Sequence, residues 1–402
     1  MGSALIVNGG NYLYNLLLGR LLGPEAFADA ALLVTLLLVL SFVGMTFQLA
    51  TTKFAVLFSG DSWSAFKNTI YKYAVIFGLF TGIIILLFSK SLQSLFHTQN
   101  HWMFVIFGIG IPLYFVMSVN RGRFQGKQEF TKLAGTYQTE MWSRLLLTFV
   151  FLWFLPVEPG ILIALGIGIS FVFGLIPSDL KSIDLFSKNQ LVGDELKQVW
   201  IFIGLTVGYE LTQIIINNSD VLLVKHFFNS VDAGLYSSLA LIGRVVYFVA
   251  WMFVMLLMPT VMQKQKDGEP TAPVLFRYVF FIGGLSSLIV ITCYLFPETI
   301  ITLMFGDAYI SVAPLLWQYA LATSLFAISN IFAYYFLSLN QYAPVILSGI
   351  LGLSQVVLII IFHSSLAIVV QVQILAMVLL LVAQLLFFVF KNAKFNFQKK
   401  SI

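Results

Sequence analysis

Residues 308–390 read AYISVAPLLWQYALATSLFAISNIFAYYFLSLNQYAPVILSGILGLSQVVLIIIFHSSLAIVVQVQILAMVLLLVAQLLFFVF. These 83 residues, between Asp307 and Lys391, contain no Asp, Glu, Lys or Arg. No soluble fold hides so long an uncharged stretch, so it reads as membrane-spanning helices. The whole chain agrees. Of its 402 residues, 59% are hydrophobic, 16% aromatic and 10% charged, against about a quarter charged in ordinary soluble domains. Disorder, nucleic-acid binding and a disulfide-stapled secreted scaffold are excluded together. The lone cysteine, Cys293, lies in an apolar run and has no intramolecular partner.

A helix that crosses a bilayer needs roughly 20 mostly apolar residues. Twelve such segments are predicted: 3–22, 30–52, 70–89, 102–120, 134–155, 159–178, 199–222, 233–257, 276–296, 311–337, 343–362 and 366–390. Turn chemistry marks the breaks: Leu22-Gly23-Pro24, Pro156 to Gly160, and Asn340-Gln341 with Pro344. Orientation follows from Lys and Arg near the span ends. With the N-terminus inside, seventeen basic residues fall in the cytoplasm. Three (Arg20, Lys90, Lys225) fall outside, and Arg144 and Arg244 lie within spans. Both termini are therefore expected in the cytoplasm. No cleavable signal sequence is expected. The chain enters span one almost at once, so a short native N-terminal segment is expected to be missing.

A shift of about 206 residues lays one half of the chain weakly on the other. The predicted fold is all-α and polytopic, with two six-helix lobes related by a pseudo-two-fold axis along the membrane normal. The N-terminal lobe spans 1–190 and the C-terminal lobe 199–402, with a mixed-charge linker at about 179–198. Parallel repeats of this kind commonly frame a central pathway in transporters.

Ionisable groups in membrane helices cost about 3 kcal/mol on insertion scales, so each one needs a reason. Thr206, Glu210, Gln213, Asn217 and Asp220 step by four, three, four and three along span seven, one stripe within roughly 80° of arc. Asn8, Asn11, Tyr12 and Asn15 form a second stripe on span one, within roughly 100°. Asn11 falls on Asn217 in the repeat, so the two stripes are expected to face a hydrated cleft. The alternative is hydrogen bonding between packed helices. Glu210 and Asp220 are candidates for coupling to a proton or cation. Their bland alternatives are a salt bridge from Glu210 to Arg244 and a pair between Asp220 and Lys225. Arg244, Tyr247 and Trp251 recur at i, i+3 and i+7 on span eight. A guanidinium there suits phosphate oxygens, although such an aromatic stripe is equally a packing surface. Glu140 and Arg144 are spaced for an intrahelical ion pair.

Four stretches carry a family likeness. They are Leu17-Leu18-Gly19-Arg20-Leu21-Leu22-Gly23-Pro24-Glu25 with Phe27; Asp220-Val221-Leu222-Leu223 followed by Ala233-Gly234-Leu235-Tyr236; Leu257-Met258-Pro259; and Leu303 to Tyr309 with Ala313-Pro314-Leu315-Leu316. In order and spacing these resemble the polysaccharide-transporter (Wzx-like oligosaccharide flippase) branch of the multidrug/oligosaccharidyl-lipid/polysaccharide (MOP) exporter superfamily. Ala28-Asp29-Ala30 departs from the Gly-Leu-Tyr-like triplet usual there. Lipid II flippases resemble the plan too, but usually carry two further helices and more cationic residues in the first spans.

The resemblance implies a flippase in a bacterial or archaeal cytoplasmic membrane. It would move polyprenyl-pyrophosphate-linked oligosaccharide by alternating access, among membrane lipids and beside a polysaccharide polymerase or glycosyltransferase. No enzyme activity, cofactor or metal is expected. There is no phosphate-binding Gly-x-x-x-x-Gly-Lys motif, and the four histidines lack ligand spacing. An ion-coupled drug or metabolite exporter of the same superfamily and a non-transporting glycan-assembly protein are the other readings.

Overall fold

The computed structural model describes residues 2–178, 191, 193–339, 341 and 343–400. Among them every regular element is helical. Helix α1 (Gly2–Leu57) is broken at Gly23, whose φ of 72° and ψ of 171° leave helical space. Glycine takes that conformation at little cost, and Pro24 behind it has the fixed φ suited to starting a new helix. The chain continues through α2 (Gly60–Leu87), α3 (Ser89–Phe96), α4 (Trp102–Gly126), α5 (Phe130–Phe154) and α6 (Pro159–Gly174). Then come α7 (Gly193–Phe227), α8 (Ser230–Lys266), α9 (Ala272–Leu295) and α10 (Pro297–Met304). A 3-10 segment (Asp307–Leu315) leads into α11 (Leu316–Ser338), α12 (Ala343–Ile361) and α13 (Leu366–Lys400).

With the two arms of α1 counted apart and the eight-residue α3 and α10 set aside, twelve long helical segments remain among the described residues. Each coincides with one expected span. Six helical stretches of the described chain are long and apolar enough to cross a membrane on length and composition alone. Helix α5, which misses this criterion, carries the buried Glu140 and Arg144. Broad apolar faces are exposed, for example Phe276, Phe280 and Phe281 on α9 and Trp153 on α5, as a lipid-facing surface requires. The protein is an all-α polytopic membrane protein.

The helices cluster into two compact units, Met1–Ile214 and Ile215–Ile402, with the boundary inside α7. The internal order of each is the same at an offset of about 206 residues. The arms of α1 match α7 and α8, and α2 matches α9. The short α3 matches the short α10, and α4, α5 and α6 match α11, α12 and α13. In the first unit α4 is the central, most buried helix, packed on α1, α2 and α6. In the second, α11 takes that place among α8, α9 and α13. Most of the expected linker at 179–198 lies outside the described residues. From Gly193 onward the chain is already α7.

Helix contact within a bilayer relies on close packing rather than on water exclusion. Helices α1 and α4 approach closely at Gly122. A Cβ there would lie 2.3 Å from the carbonyl oxygen of Gln48 and 2.7 Å from Thr51 Cβ. That contact sets the depth of the last turns of α4, and with them Arg121 and Arg123, both buried. Pro112 sits inside α4 against Gly78 of α2.

Candidate functional site

Among the described residues, each unit buries a cluster of charged and polar side chains. In the second unit the cluster is built around Asp220 on α7, which is 2% exposed. Its two carboxylate oxygens have separate partners. Oδ1 accepts from Arg244 Nη2 on α8 at 3.1 Å. Oδ2 accepts from the phenol of Tyr319 on α11 at 2.6 Å and from that of Tyr236 on α8 at 3.1 Å. Gln373 of α13 donates to the Tyr236 oxygen at 2.5 Å. Four helices thus converge on one carboxylate, which is how a membrane interior tolerates a charge. A cavity of about 30 Å³ opens beside the ion pair, lined by Asn217, Asp220, Arg244, Tyr319, Gln355 and Gln373 among others.

In the first unit Glu140 on α5 bridges two guanidinium groups. Arg121 of α4 reaches its Oε2 at 2.7 Å, and Arg144 one turn along α5 reaches Oε1 at 3.2 Å. The side chains of all three are less than a tenth exposed. Arg121 also donates to the carbonyl and hydroxyl of Thr136 and lies 3.8 Å from the centre of the Tyr137 ring. Arg144 donates to Asn11 Oδ1 on α1 at 2.5 Å. The Tyr137 phenol donates to Gln48 at 3.0 Å, tying this cluster to the second arm of α1. Two cations against one anion leave this unit a net buried positive charge.

The structure brings some of the expected residues together and not others. Asn11 joins the Glu140 cluster. Asn8 is exposed, and Asn15 donates to the Asn11 carbonyl of its own helix. Asn217, Asp220 and Arg244 share the cavity of the second unit. The side chains of Glu210, Gln213, Tyr247 and Trp251 lie outside the described residues. Arg244 is paired with Asp220. Lys225 donates to Ser230 Oγ. The expected Glu140–Arg144 pair is present.

Sequence reasoning missed several participants. Arg121 was counted only among the residues of the cytoplasmic side; it is 3% exposed and turned toward Glu140. Tyr319 and Gln373 were overlooked because they lie on distant helices. Each is a polar group in an otherwise apolar run, which was the available signal.

A family model described as "Polysaccharide biosynthesis protein" matches residues 17–314, about three quarters of the chain. The chain belongs to this polysaccharide biosynthesis protein family. No curated protein matches it significantly. Solved structures share the fold at low identity. An inward-facing multidrug resistance transporter of the MATE family within the MOP superfamily is 14% identical, with a TM-score of 0.75 over 97% of this chain and 96% of its own. The lipid II flippase MurJ, in an inward closed conformation, is 15% identical, with a TM-score of 0.76 over 96% of this chain and 86% of its own. A MOP superfamily transporter from Pyrococcus furiosus, described as having a binding pocket of reverse polarity that suggests a different function, is 14% identical. Its TM-score is 0.56 over 96% of this chain and 92% of its own. This member of the polysaccharide biosynthesis protein family therefore has the MOP exporter fold.

Proposed function

We propose that the chain is a flippase that carries polyprenyl-pyrophosphate-linked oligosaccharide repeat units across the cytoplasmic membrane by alternating access, for surface polysaccharide assembly. The observation that carries this reading is Arg244, a guanidinium beside a polar cavity in the second unit and only partly buried. A diphosphate presents oxygens in the geometry a guanidinium fork matches. Membership of a polysaccharide biosynthesis family gives the oligosaccharide its warrant. The polyprenyl tail would stay in lipid while the polar head crosses within the protein. On this reading the protein transports and does not catalyse. A polymerase or glycosyltransferase would consume its product on the outer face, and both termini lie in the cytoplasm.

The residues proposed to meet the head group are Arg244, Asn217, Gln213 and Tyr247, with Asn8, Asn11 and Asn15 from the first unit. Glu210 and Asp220 are the proposed coupling carboxylates. Six-helix lobes at 1–190 and 199–402 are the proposed moving parts.

The test uses cells whose surface polymer depends on this chain. At matched membrane abundance, Arg244→Ala and Glu210→Gln should each lower surface polymer and raise the pool of cytoplasm-facing lipid-linked oligosaccharide. Wild-type behaviour in both variants would sink the site assignment. Protection of the same cells from cationic dyes would favour the drug-exporter reading.

A further inference from the structure

We propose that Asp220 is a built-in counter-anion for Arg244: a phosphate or diphosphate anion displaces it from the guanidinium, and Tyr236 and Tyr319 hold the carboxylate in place during the exchange. This rests on the reading of Arg244 as the anion-binding group.

The geometry is asymmetric in a way an ordinary structural ion pair does not need. The guanidinium holds one carboxylate oxygen, Oδ1, through one contact at 3.1 Å. Both phenols converge on the other oxygen, Oδ2, at 2.6 and 3.1 Å. Loss of the arginine therefore leaves the carboxylate with two hydrogen bonds and no need to move. Gln373 donates to the Tyr236 oxygen, which leaves that phenol's own proton for Asp220. The carboxylate is the fixed half of the pair, with a side chain 4% exposed. The guanidinium is the displaceable half, at 14%.

The cavity points the same way. The cavity, about 30 Å³, lies against the guanidinium. An anion entering it meets Arg244 in competition with the Asp220 carboxylate. The pair seen here is thus the parked state, in which Asp220 neutralises a cation that would otherwise stand alone in a low-dielectric interior. A phosphate offers more charge and a two-pronged contact, so it can replace a single-contact carboxylate. When the cargo leaves, Asp220 takes the guanidinium back. It therefore weakens binding and speeds release.

Calorimetric titration of the purified full chain in nanodiscs tests this, with inorganic pyrophosphate and farnesyl diphosphate as probes. Arg244→Ala should lose binding. Asp220→Asn removes the competing charge and should tighten it by about tenfold or more, the lower end of what a charge-assisted hydrogen bond is worth. Tyr236→Phe removes one of the bonds that hold the carboxylate, makes it lean harder on the arginine and should weaken binding. A folding defect does not tighten binding, and the two variants move in opposite directions. If Asp220→Asn does not fold, weaker binding by Tyr236→Phe upholds the proposal and unchanged binding overturns it.

Asp220→Asn binding no tighter than wild type, while Arg244→Ala loses binding, refutes the counter-anion role and spares the reading of Arg244. Equal binding by wild type and Arg244→Ala refutes that reading, and the proposal with it. Tightening for farnesyl diphosphate alone assigns a lipid head group. Tightening for both probes assigns the anion itself.

Discussion

Glu140→Gln changes no shape and removes the one negative charge between Arg121 and Arg144. In the wild type its oxygens accept two charge-assisted hydrogen bonds, at 2.7 and 3.2 Å, among side chains less than a tenth exposed. Such bonds contribute about 1.5–3 kcal/mol each and lose roughly half their strength when one partner becomes neutral. The amide also turns an N–H toward one of the guanidinium groups, where an oxygen had been. Breaking a buried pair by removing one partner costs about 3–5 kcal/mol. The expected loss is therefore about 3 kcal/mol, measured by equilibrium unfolding in mixed lipid and detergent micelles. The triple replacement of Arg121, Glu140 and Arg144 by Met removes every charge at once. It should be close to neutral in stability or better, since apolar replacement of whole buried ion clusters has gained about 1–4 kcal/mol elsewhere. A loss below about 1 kcal/mol for Glu140→Gln would refute the view that this carboxylate carries the first unit's buried charge balance.

Three further outcomes follow from particular contacts. Gly122→Ala drives a Cβ against the Gln48 carbonyl, a backbone atom with little room to yield. It should cost about 1–3 kcal/mol as overpacking, read by the same unfolding measurement, while Gly283→Ala, with open space around it, should not. Asn229→Ala removes the side-chain cap that accepts from the Asp232 amide at 2.9 Å at the start of α8. Thermal unfolding should report a loss of about 1 kcal/mol. Glu158, in the loop before α6, has its pKa raised by burial and then by nearby Asp29. A carboxyl raised in the folded state favours folding below its ordinary pKa, and that contribution is lost as pH climbs through the raised value. The Glu158 contribution to stability should fall as pH rises above about 4, and Glu158→Gln should remove that component of the pH profile. Parallel pH profiles for the two proteins would contradict this.

Much of the architecture was legible because a bilayer constrains length and polarity so tightly. Gly23-Pro24 announced the break in α1, and the apolar runs foretold the twelve long helices, with Asp220 and Arg244 on neighbouring ones. The site was legible only within one helix at a time. Periodicity along α5 displays Glu140 and Arg144 together, but Arg121 reaches Glu140 across nineteen residues and Tyr319 reaches Asp220 across ninety-nine. Such pairings depend on which helix face meets which, and hydropathy carries no register between helices. Arg121 was left out of the cluster for a related reason. A basic residue near the end of an apolar run reads as an anchor at the membrane surface, unless a buried acid on the next helix is known to claim it.

The central claim is that this chain moves a diphosphate-linked glycan between leaflets. The measurement closest to it is leaflet accessibility in proteoliposomes loaded with a fluorescent prenyl-diphosphate oligosaccharide, with a membrane-impermeant quencher added outside. With wild-type protein, the protected fraction of the label should become accessible over time. Vesicles with Arg244→Ala should be much slower, and protein-free vesicles should stay protected. Equal accessibility with and without the wild-type protein, at confirmed insertion, would contradict the account.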